Sequence, residues 1–233
     1  MKLLIVGASG MIGAEVLKHC LAHSEVSKVV AFVRRELPGE ATRDQKLEVI
    51  VLDDFAAWPQ HILREHADAA GMIWNMGSYN ADRSADLDYP LAFVESMGRV
   101  LQSMTARPPF RYVQLSGKWA RSDQGQRLWW GEDARKLKGL ADAKVLEYAT
   151  NQPDIWKSFV VKPGPVGGGP RLTPDVPRSW GTDMIASLLG VRIDELAAFM
   201  TFLAVDGRGE DVVAENGHIA SRGRELLKQQ GEH

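Results

Sequence analysis

The sequence has a single cysteine, no long apolar run and no excess of either charge. Cys20 has no partner for an internal disulfide, which fits a reducing compartment. The first apolar run, residues 3–6, ends at Gly7 and is too short for a signal-peptide core or a membrane span. A formal net charge of -2 over 233 residues provides no basic field for nucleic acid or an anionic membrane. We therefore expect a cytoplasmic protein that binds neither nucleic acid nor membranes.

Short β-branched runs alternate with helical patterns along most of the chain. Six runs have the length and composition of buried strands: KLLIV, VVAFV, LEVIVL, GMIWN, RYVQL and SFVVK. Between them, apolar residues recur three to four apart, which predicts helices over residues 12–21, 58–67, 87–104 and 133–149. This alternation predicts an α/β fold with a doubly wound parallel sheet of Rossmann type, in a single domain over residues 1–233.

The composition changes after the sixth predicted strand. Residues 164–177, GPVGGGPRLTPDVP, contain too much glycine and proline for regular structure, and form either a functional loop or a plain surface connection. Three helical patterns follow: MIASLLG, IDELAAFMTFLA and HIASRGRELLKQ. They are too few for an independent domain. We expect a dinucleotide-binding core over about residues 1–166 and a small C-terminal helical substrate cap over about residues 167–233.

A glycine-rich turn follows the first predicted strand. Gly7, Gly10 and Gly13 are spaced as GxxGxxG where the strand meets a helix. The first glycine permits a tight turn, the second allows the backbone to approach a pyrophosphate, and the third allows the helix to pack closely on the strand. The helix N-terminus adds N–H donors and the positive end of its dipole. This context predicts a dinucleotide-binding site.

The end of the second predicted strand bears on the choice of nucleotide. Arg34 and Arg35 stand there with no acid before them, and a guanidinium can pair with a 2′-phosphate. NADP(H) is therefore favoured over NAD, with Glu36 as the alternative ligand for an unphosphorylated ribose. Asp53 and Asp54 follow the third strand; one is placed to meet adenine, and the other to cap the next segment.

The pattern as a whole resembles the atypical short-chain dehydrogenases, particularly the NmrA-like NAD(P)H-binding group. The resemblance covers residue 1 to about residue 166. It rests on GASGMIG, VRR, LDDF, NMGS, LSGKWA, LKGLADAKVLE and VKPGPV, which follow the predicted strands in order. It implies an NADP(H)-dependent oxidoreductase that acts on a small-molecule substrate. Dimerisation through the long helices after the fourth and fifth strands is common in this fold, so a homodimer is an open alternative.

The resemblance also implies cofactor contacts along the edge of the sheet. The pyrophosphate would be lined by Gly7, Ser9, Gly10, Met11 and Ile12. The central ribose would be flanked by Asn75, Met76 and Gly77, and the carboxamide end would be held by Pro163, Gly164 and Val166. Ser116 would stand near the nicotinamide, and Lys138 would bind the hydroxyls of the nicotinamide ribose. Ser116 and Lys138 are also the candidate catalytic residues.

One feature of carbonyl-reducing relatives is missing. In those enzymes a tyrosine donates a proton four residues before the lysine, but Ala134 precedes Lys138 at that spacing, and no YxxxK occurs anywhere in the chain. One explanation is a reductase that takes its proton from another group, namely Tyr79, Tyr89, Asp133, Lys138 or water. A second is a non-redox isomerase or cyclase in which Ser116 and Lys138 polarise an oxygen. A third is a catalytically silent NADP(H) sensor with a protein partner.

The positions of the tryptophans bear on the choice between an enzyme and a sensor. Trp119, Trp129, Trp130 and Trp180 fall on the predicted substrate side, which favours a flat, apolar or aromatic substrate over a sensor role. No metal site is expected, because His19 and His23 have the i, i+4 spacing of zinc ligands but no evident third ligand.

Overall fold

The computed structural model of the protein describes residues 1–37, 43–78, 80–104, 107–167 and 190–231. Its centre is a seven-stranded parallel sheet with the order β3-β2-β1-β4-β5-β6-β9. The strands of this sheet are β1 (Lys2–Val6), β2 (Lys28–Val33), β3 (Leu47–Val51), β4 (Gly71–Trp74), β5 (Phe110–Leu115), β6 (Trp156–Lys162) and β9 (Val213–Glu215). A separate two-stranded parallel ribbon joins β7 (Val166–Gly167) to β8 (Val191–Arg192).

Helices cover both faces of the sheet. They are α1 (Met11–Ala22), α2 (Gln60–Glu65), α3 (Tyr89–Gln102), α4 (Glu132–Asn151), α5 (Ile193–Val205) and α6 (Asn216–Gly231). A π-helical turn, Ser84–Asp88, leads directly into α3. The six predicted strands and the doubly wound Rossmann-type sheet are confirmed. Sequence patterning missed β9 and the β7–β8 ribbon, whose strands have three and two residues and are too short for a periodicity.

Alternate side chains of the strands enter two separate cores, because successive residues of a strand point to opposite faces. In β1, Leu3 and Ile5 pack with helices α1 and α5, whereas Leu4 and Val6 face the core that contains α3. The second core is rich in aromatic rings, including Trp74. Burial on both faces explains why the strands read as continuous apolar runs and not as alternating ones.

The described C-terminal elements contribute to the core. Among residues 190–231, β9 pairs with β6 at the edge of the main sheet, and α5 packs with α1 in the helical layer. Helix α5 is buried on nearly all sides, as expected for a helix that is apolar around its whole circumference. The division into a dinucleotide-binding core and a substrate cap stays a prediction. Most of the predicted MIASLLG helix and of the glycine-rich loop lies outside the described residues.

Among the helices of the described ranges, none combines the length and the apolarity that crossing a membrane requires.

Gly139 marks a close contact between α4 and the segment after β5. A Cβ atom at this position would lie 2.0 Å from the carbonyl oxygen of Arg121, a backbone atom that cannot turn away. We expect Gly139→Ala to lower the free energy of unfolding by about 1–3 kcal/mol, the usual cost of overpacking. Urea unfolding would measure the change. Gly217→Ala is the matched control, because a Cβ on that helical glycine meets nothing within 4 Å. Equal stability of the two variants would contradict the contact.

Candidate active site

The strand order reverses between β1 and β4, which places a crevice at the carboxyl ends of these strands. Strand β1 pairs with β2 on one side and with β4 on the other, so the connections after β1 and β4 leave towards opposite faces. The two turns touch: a Cβ on Gly7, which has a φ of +82°, would lie 2.8 Å from the carbonyl carbon of Asn75. Glycine at position 7 is therefore required by its conformation and by this contact.

The glycine-rich turn has the geometry of an anion site. The Gly10 amide donates to the Gly7 carbonyl at 3.0 Å, and a Cβ on Gly13 would lie 2.0 Å from the same oxygen. Helix α1 begins at Met11 with no side-chain cap, and no acidic residue lies in its first turn. Ser9, Gly10 and Met11 are exposed at this end of the helix. The backbone thus presents N–H groups to the crevice, which fits a pyrophosphate.

The residues predicted to select the nucleotide lie at the ends of β2 and β3. Arg34 and Arg35 directly follow β2 and are exposed, as is Glu36. Asp53 is exposed two residues after β3, and the Asp54 carboxylate accepts a hydrogen bond from the Ala56 amide at 2.8 Å. This bond closes a local turn and is not the predicted helix cap, because the N-cap residue of α2 is Pro59. Asp53 stays the candidate for adenine.

A pocket lies beside the crevice, beyond the ends of β4 and β5. It contains Ser116 and Lys138, the two predicted catalytic residues, and Met76 of the predicted ribose site. Its lining consists of Trp74, Met76, Asp86, Pro90, Gln114, Leu115, Ser116 and Lys138. The structure therefore brings together residues from β4, β5, α4 and the π-helical turn. Apolar and polar groups share the lining.

Asp86 holds the ammonium of Lys138. The Lys138 Nζ atom donates to Asp86 Oδ1 at 2.6 Å, and the Asp86 side chain is fully buried. Asp86 also accepts bonds from the amide of Ser78 at 2.7 Å and from its hydroxyl at 2.7 Å. Gly77 allows this arrangement, since a Cβ there would lie 3.0 Å from the Lys138 ammonium nitrogen. A carboxylate with three donors is satisfied as an anion and positions the lysine.

Ser116 is hydrogen-bonded to a second buried carboxyl, that of Asp142. Its hydroxyl donates to Asp142 Oδ2 at 2.7 Å, and the Gln114 amide donates to Asp142 Oδ1 at 3.3 Å. Gln114 is itself oriented by Tyr112, whose hydroxyl donates to the Gln114 carbonyl oxygen at 3.1 Å. The ammonium of Lys162 lies 3.9 Å from Asp142 Oδ2. Asp142 and Lys138 are four residues apart, so both project from the same side of α4.

Burial raises the pKa of Asp142 from 3.8 to about 6. The bonds from Ser116 and Gln114 and the charges of Lys162 and Lys138 oppose this shift, because they stabilise the ionised carboxylate. Desolvation prevails because only 5% of the residue is exposed. A carboxyl whose pKa is raised to about 6 thus contacts the Ser116 hydroxyl, which lines the pocket.

Of the predicted substitutes for the missing tyrosine, Lys138 lines the pocket, whereas Tyr89 and Asp133 do not. Ala134 is half-buried on α4, one turn before Lys138, and leaves no hydroxyl there. Tyr89 packs against Phe55, with ring centroids 6.2 Å apart. Asp133 is exposed in the first turn of α4. Tyr79 lies outside the described residues. Neither Tyr89 nor Asp133 is part of the pocket lining.

Of the tryptophans on the predicted substrate side, Trp119, Trp129 and Trp130 lie in the described ranges, and none of these three lines the pocket. Trp119 and Trp130 contact each other with centroids 5.8 Å apart, and the Arg135 guanidinium lies 4.8 Å from the Trp130 ring centre. Trp129 is fully exposed. The indole that lines the pocket is Trp74, from the fourth strand. Trp180 is outside the described residues.

Two of the remaining cofactor candidates have contrasting environments. Both amide atoms of Asn75 are buried and have no hydrogen-bond partner within the described ranges, so a bound ribose hydroxyl could supply one. The Gly164 amide is already used, since it donates to Asn216 Oδ1 at 2.7 Å. Pro163 is buried, and its carbonyl accepts a bond from the Lys118 amide at 2.9 Å. Val166 lies in β7. The Gly164 amide and the Pro163 carbonyl are thus both engaged in hydrogen bonds within the protein.

One cluster in the described ranges has donors of the kind that bind metals. The ligand atoms of Glu48, Glu65 and His66 lie within 4.8 Å of one another, a group that the sequence did not suggest. Burial lowers the pKa of His66. The Lys28 ammonium, however, lies 2.6 Å from Glu48 Oε2 and already supplies the positive charge there. This cluster belongs to the ion pairs of the sheet edge and is separate from the pocket lining.

Sequence reasoning missed Asp86, which lines the pocket, and Asp142, which contacts Ser116. Asp142 follows Lys138 by four residues, a spacing that places both on one face of a helix, so a signal for it exists in the sequence. Asp86 carries no comparable signal, because it reaches Lys138 across 52 residues of chain. The strand patterns place Gln114 and Trp74 in strands but do not indicate a role in the pocket.

A family model matches the first part of the chain. The model of the NAD dependent epimerase/dehydratase family matches residues 3–126. The chain is also similar to two curated proteins called Protein FMP52, mitochondrial. The Saccharomyces cerevisiae protein is 42% identical over 93% of this chain and 86% of its own length. The Eremothecium gossypii protein is 40% identical over 27% of this chain, and the match spans only 26% of that protein.

Solved structures share the fold at low identity. An oxidoreductase, ylbE, from Lactococcus lactis has a TM-score of 0.65 and 17% identity, covering 100% of this chain and 98% of its own. A short chain dehydrogenase from Burkholderia cenocepacia in complex with NADP has a TM-score of 0.64 and 16% identity, covering 100% and 95%. A dTDP-glucose 4,6-dehydratase from Bacillus anthracis in complex with NAD has a TM-score of 0.64 and 14% identity, covering 99% and 81%.

These comparisons confirm the resemblance to atypical short-chain dehydrogenases and the NAD(P)-binding fold. The narrower NmrA-like assignment stays a prediction. Structures with NADP and with NAD both occur among the neighbours, so the fold alone does not select the nucleotide. The expected cytoplasmic location is wrong, because both curated relatives are named as mitochondrial. Composition and the length of one apolar run carry no information on the organelle.

The raised pKa of Asp142 predicts a pH-dependent stability. A carboxyl that holds its proton more tightly when folded stabilises the protein below its unfolded pKa, and this contribution is lost as the pH rises through about 6. Relative to Asp142→Asn, the wild type should lose about 1 kcal/mol of unfolding free energy between about pH 5 and about pH 8. Urea unfolding at both pH values would measure this. Glu147→Gln, at an exposed position of the same helix, should parallel the wild type. A constant difference between the wild type and Asp142→Asn would contradict the assignment.

Proposed function

The chain belongs to the NAD dependent epimerase/dehydratase family, and on this premise we propose that it is an NADP(H)-dependent oxidoreductase acting on a small apolar or aromatic substrate. The observation that carries the proposal is the convergence of Ser116 and Lys138 in one pocket beside the glycine-rich turn. A hydroxyl and an ammonium in a partly apolar cavity suit the polarisation of a carbonyl oxygen.

The features of the crevice support NADP(H) as the nucleotide. The uncapped N-terminus of α1 and the backbone contacts of Gly7, Gly10 and Gly13 form a cradle for a pyrophosphate. Exposed Arg34 and Arg35 at the end of β2 provide charge for a 2′-phosphate. When bound, the reduced nucleotide supplies a hydride. The protein provides the binding, the orientation and the proton.

Each pocket residue has a task in such a reaction. Lys138, held by Asp86, would bind the ribose hydroxyls and place a positive charge near the reacting oxygen. Ser116 would hold that oxygen by a hydrogen bond. Trp74 and Leu115 provide apolar walls that exclude water from the reacting carbonyl. The lining favours a substrate with an apolar body and a single carbonyl group.

Replacement of Arg34 tests the choice of nucleotide. Arg34→Glu should raise the Kd for NADPH by about tenfold to a hundredfold, the loss expected for a hydrogen bond between charged groups, and should leave the Kd for NADH nearly unchanged. Isothermal titration calorimetry with both nucleotides measures the two values. Arg64→Glu, which changes the same charge at an exposed position on α2, serves as the control. An equal loss for both nucleotides would refute the 2′-phosphate contact.

Replacement of Lys138 tests the pocket. Lys138→Ala should lower kcat/KM by about a hundredfold, because a positioned charge near the developing oxyanion is lost. The assay follows NADPH oxidation with a panel of aromatic aldehydes and ketones, including 4-nitrobenzaldehyde. Lys144→Ala is the control, since Lys144 is exposed on the same helix and pairs with Glu147. An unchanged rate for Lys138→Ala would remove this residue from the site.

A non-redox reaction is the second candidate, and the alanine at position 134 favours it. Isomerisation or elimination needs a polarised oxygen but no net transfer of hydride, and Ser116 with Lys138 could supply that polarisation. The two reactions differ in one measurement. A reductase consumes one NADPH for each product formed, whereas an isomerase leaves the total nucleotide unchanged. A silent NADP(H) sensor is less favoured, because its pocket would not need the Lys138–Asp86 ion pair beside the Ser116 hydroxyl.

A further inference from the structure

The Ser116 hydroxyl has one hydrogen, and Asp142 determines where that hydrogen points. When Asp142 is ionised, the hydroxyl donates to Oδ2, as the 2.7 Å bond shows. It then has no hydrogen to offer a substrate oxygen in the pocket. When Asp142 is protonated, its own O–H can donate to the Ser116 oxygen, which releases the serine hydrogen. The proton on Asp142 therefore controls whether Ser116 acts as a donor to the substrate.

The two carboxyl oxygens of Asp142 have different neighbours. Gln114 donates its amide to Oδ1, and its carbonyl oxygen is occupied by the hydroxyl of Tyr112. Oδ2 faces Ser116 at 2.7 Å, so a proton on Oδ2 lies next to the serine oxygen. The hydrogen bond between Asp142 and Ser116 thus connects the buried carboxyl to a hydroxyl that lines the pocket.

The carboxylate that lines the pocket is engaged elsewhere. Asp86 accepts three hydrogen bonds, one from Lys138 and two from Ser78, and none from Ser116. The groups that face Asp142 are Gln114 and Tyr112 from β5, Lys162 from β6 at 3.9 Å, and Lys138 from its own helix, which is paired with Asp86. Burial outweighs the donors and charges among them and raises the pKa of Asp142. No second carboxylate among the described residues competes with Asp142 for Ser116.

We propose that Asp142 is the proton source that replaces the missing tyrosine, and that it acts through the hydroxyl of Ser116. This inference rests on the proposed oxidoreductase function. The substrate carbonyl carbon receives the hydride supplied by bound NADPH, and the electron pair of the C=O π bond moves to oxygen. That oxygen takes the proton of Ser116, and Ser116 takes the proton of Asp142 Oδ2. The products are the alcohol, NADP⁺ and an Asp142 carboxylate, which solvent reprotonates.

Two variants separate proton donation from structural support. In Asp142→Asn the amide oxygen still accepts from Gln114, and the amide nitrogen still donates to Ser116. This variant thus preserves the hydrogen bonds of the protonated carboxyl without a transferable proton. Ser116→Ala removes the connection to the pocket and also one donor that stabilises the carboxylate. Glu147→Gln is the control for loss of a carboxyl from α4, since Glu147 is exposed.

The first measurement needs neither nucleotide nor substrate. The carboxyl carbons of ¹³C-aspartate-labelled protein are titrated by NMR, and the Asp142 signal is assigned by its loss in Asp142→Asn. We expect a midpoint at about pH 6 in the wild type and a higher midpoint in Ser116→Ala. A midpoint near the ordinary aspartate value of about 4 would overturn the proposal, because the carboxyl would then hold no proton to donate.

The second measurement is the pH profile of kcat/KM with NADPH and 4-nitrobenzaldehyde. In the wild type it should fall about tenfold per pH unit above the midpoint, since kcat/KM reports ionisations of the free enzyme. Asp142→Asn should be about a hundredfold slower at about pH 5.5 and should lose this dependence, as expected for removal of a general acid. An unchanged rate and profile in Asp142→Asn would overturn the relay and leave Asp142 a structural role.

The two proposals fail in distinguishable ways. A wild type that oxidises no NADPH with any carbonyl of the panel would refute the oxidoreductase function, and the relay with it. A wild type that oxidises NADPH while Asp142 titrates at the ordinary value would refute the relay alone.

Discussion

The contact between α1 and the first turn is the constraint on which the site depends. A side chain on Gly13 would meet the Gly7 carbonyl at 2.0 Å, so glycine lets the helix pack directly against the turn. This packing directs the uncapped amides of α1 into the crevice. Gly7 in turn lies against Asn75, which joins the end of β1 to the end of β4. The glycine-rich turn and the pocket therefore lie on the same edge of the sheet.

Two buried carboxyls near the pocket have different surroundings. Asp86 accepts three hydrogen bonds and positions Lys138, whereas burial raises the pKa of Asp142. Environments that differ in this way commonly separate the acid from the electrostatic partner in enzyme sites. In the proposed relay the acid lies one helical turn beyond Lys138, at Asp142, on the same face of α4.

Local pattern was sufficient for most of the fold. The six long strands could be predicted because their residues are buried on both faces and form uninterrupted apolar runs. Strand β9 could not, since its three residues gain their structure by pairing with β6. The apolar circumference of α5 indicated a buried helix, yet its position after a glycine-rich loop suggested a cap. Its place against α1 follows from the tertiary packing of that apolar surface.

The sequence by itself determined the parallel sheet, the glycine-rich turn, Ser116 at the end of a strand and Lys138 on the helix that follows. These features depend on local periodicity and on the backbone freedom of glycine, which can be read residue by residue. The tertiary structure decided which groups surround those two residues. Asp86 reaches Lys138 from 52 residues away, and the state of Asp142 depends on burial beneath Gln114 and Ser116. Burial and long-range hydrogen bonds set the charge of a carboxyl, and neither exists until the chain has folded.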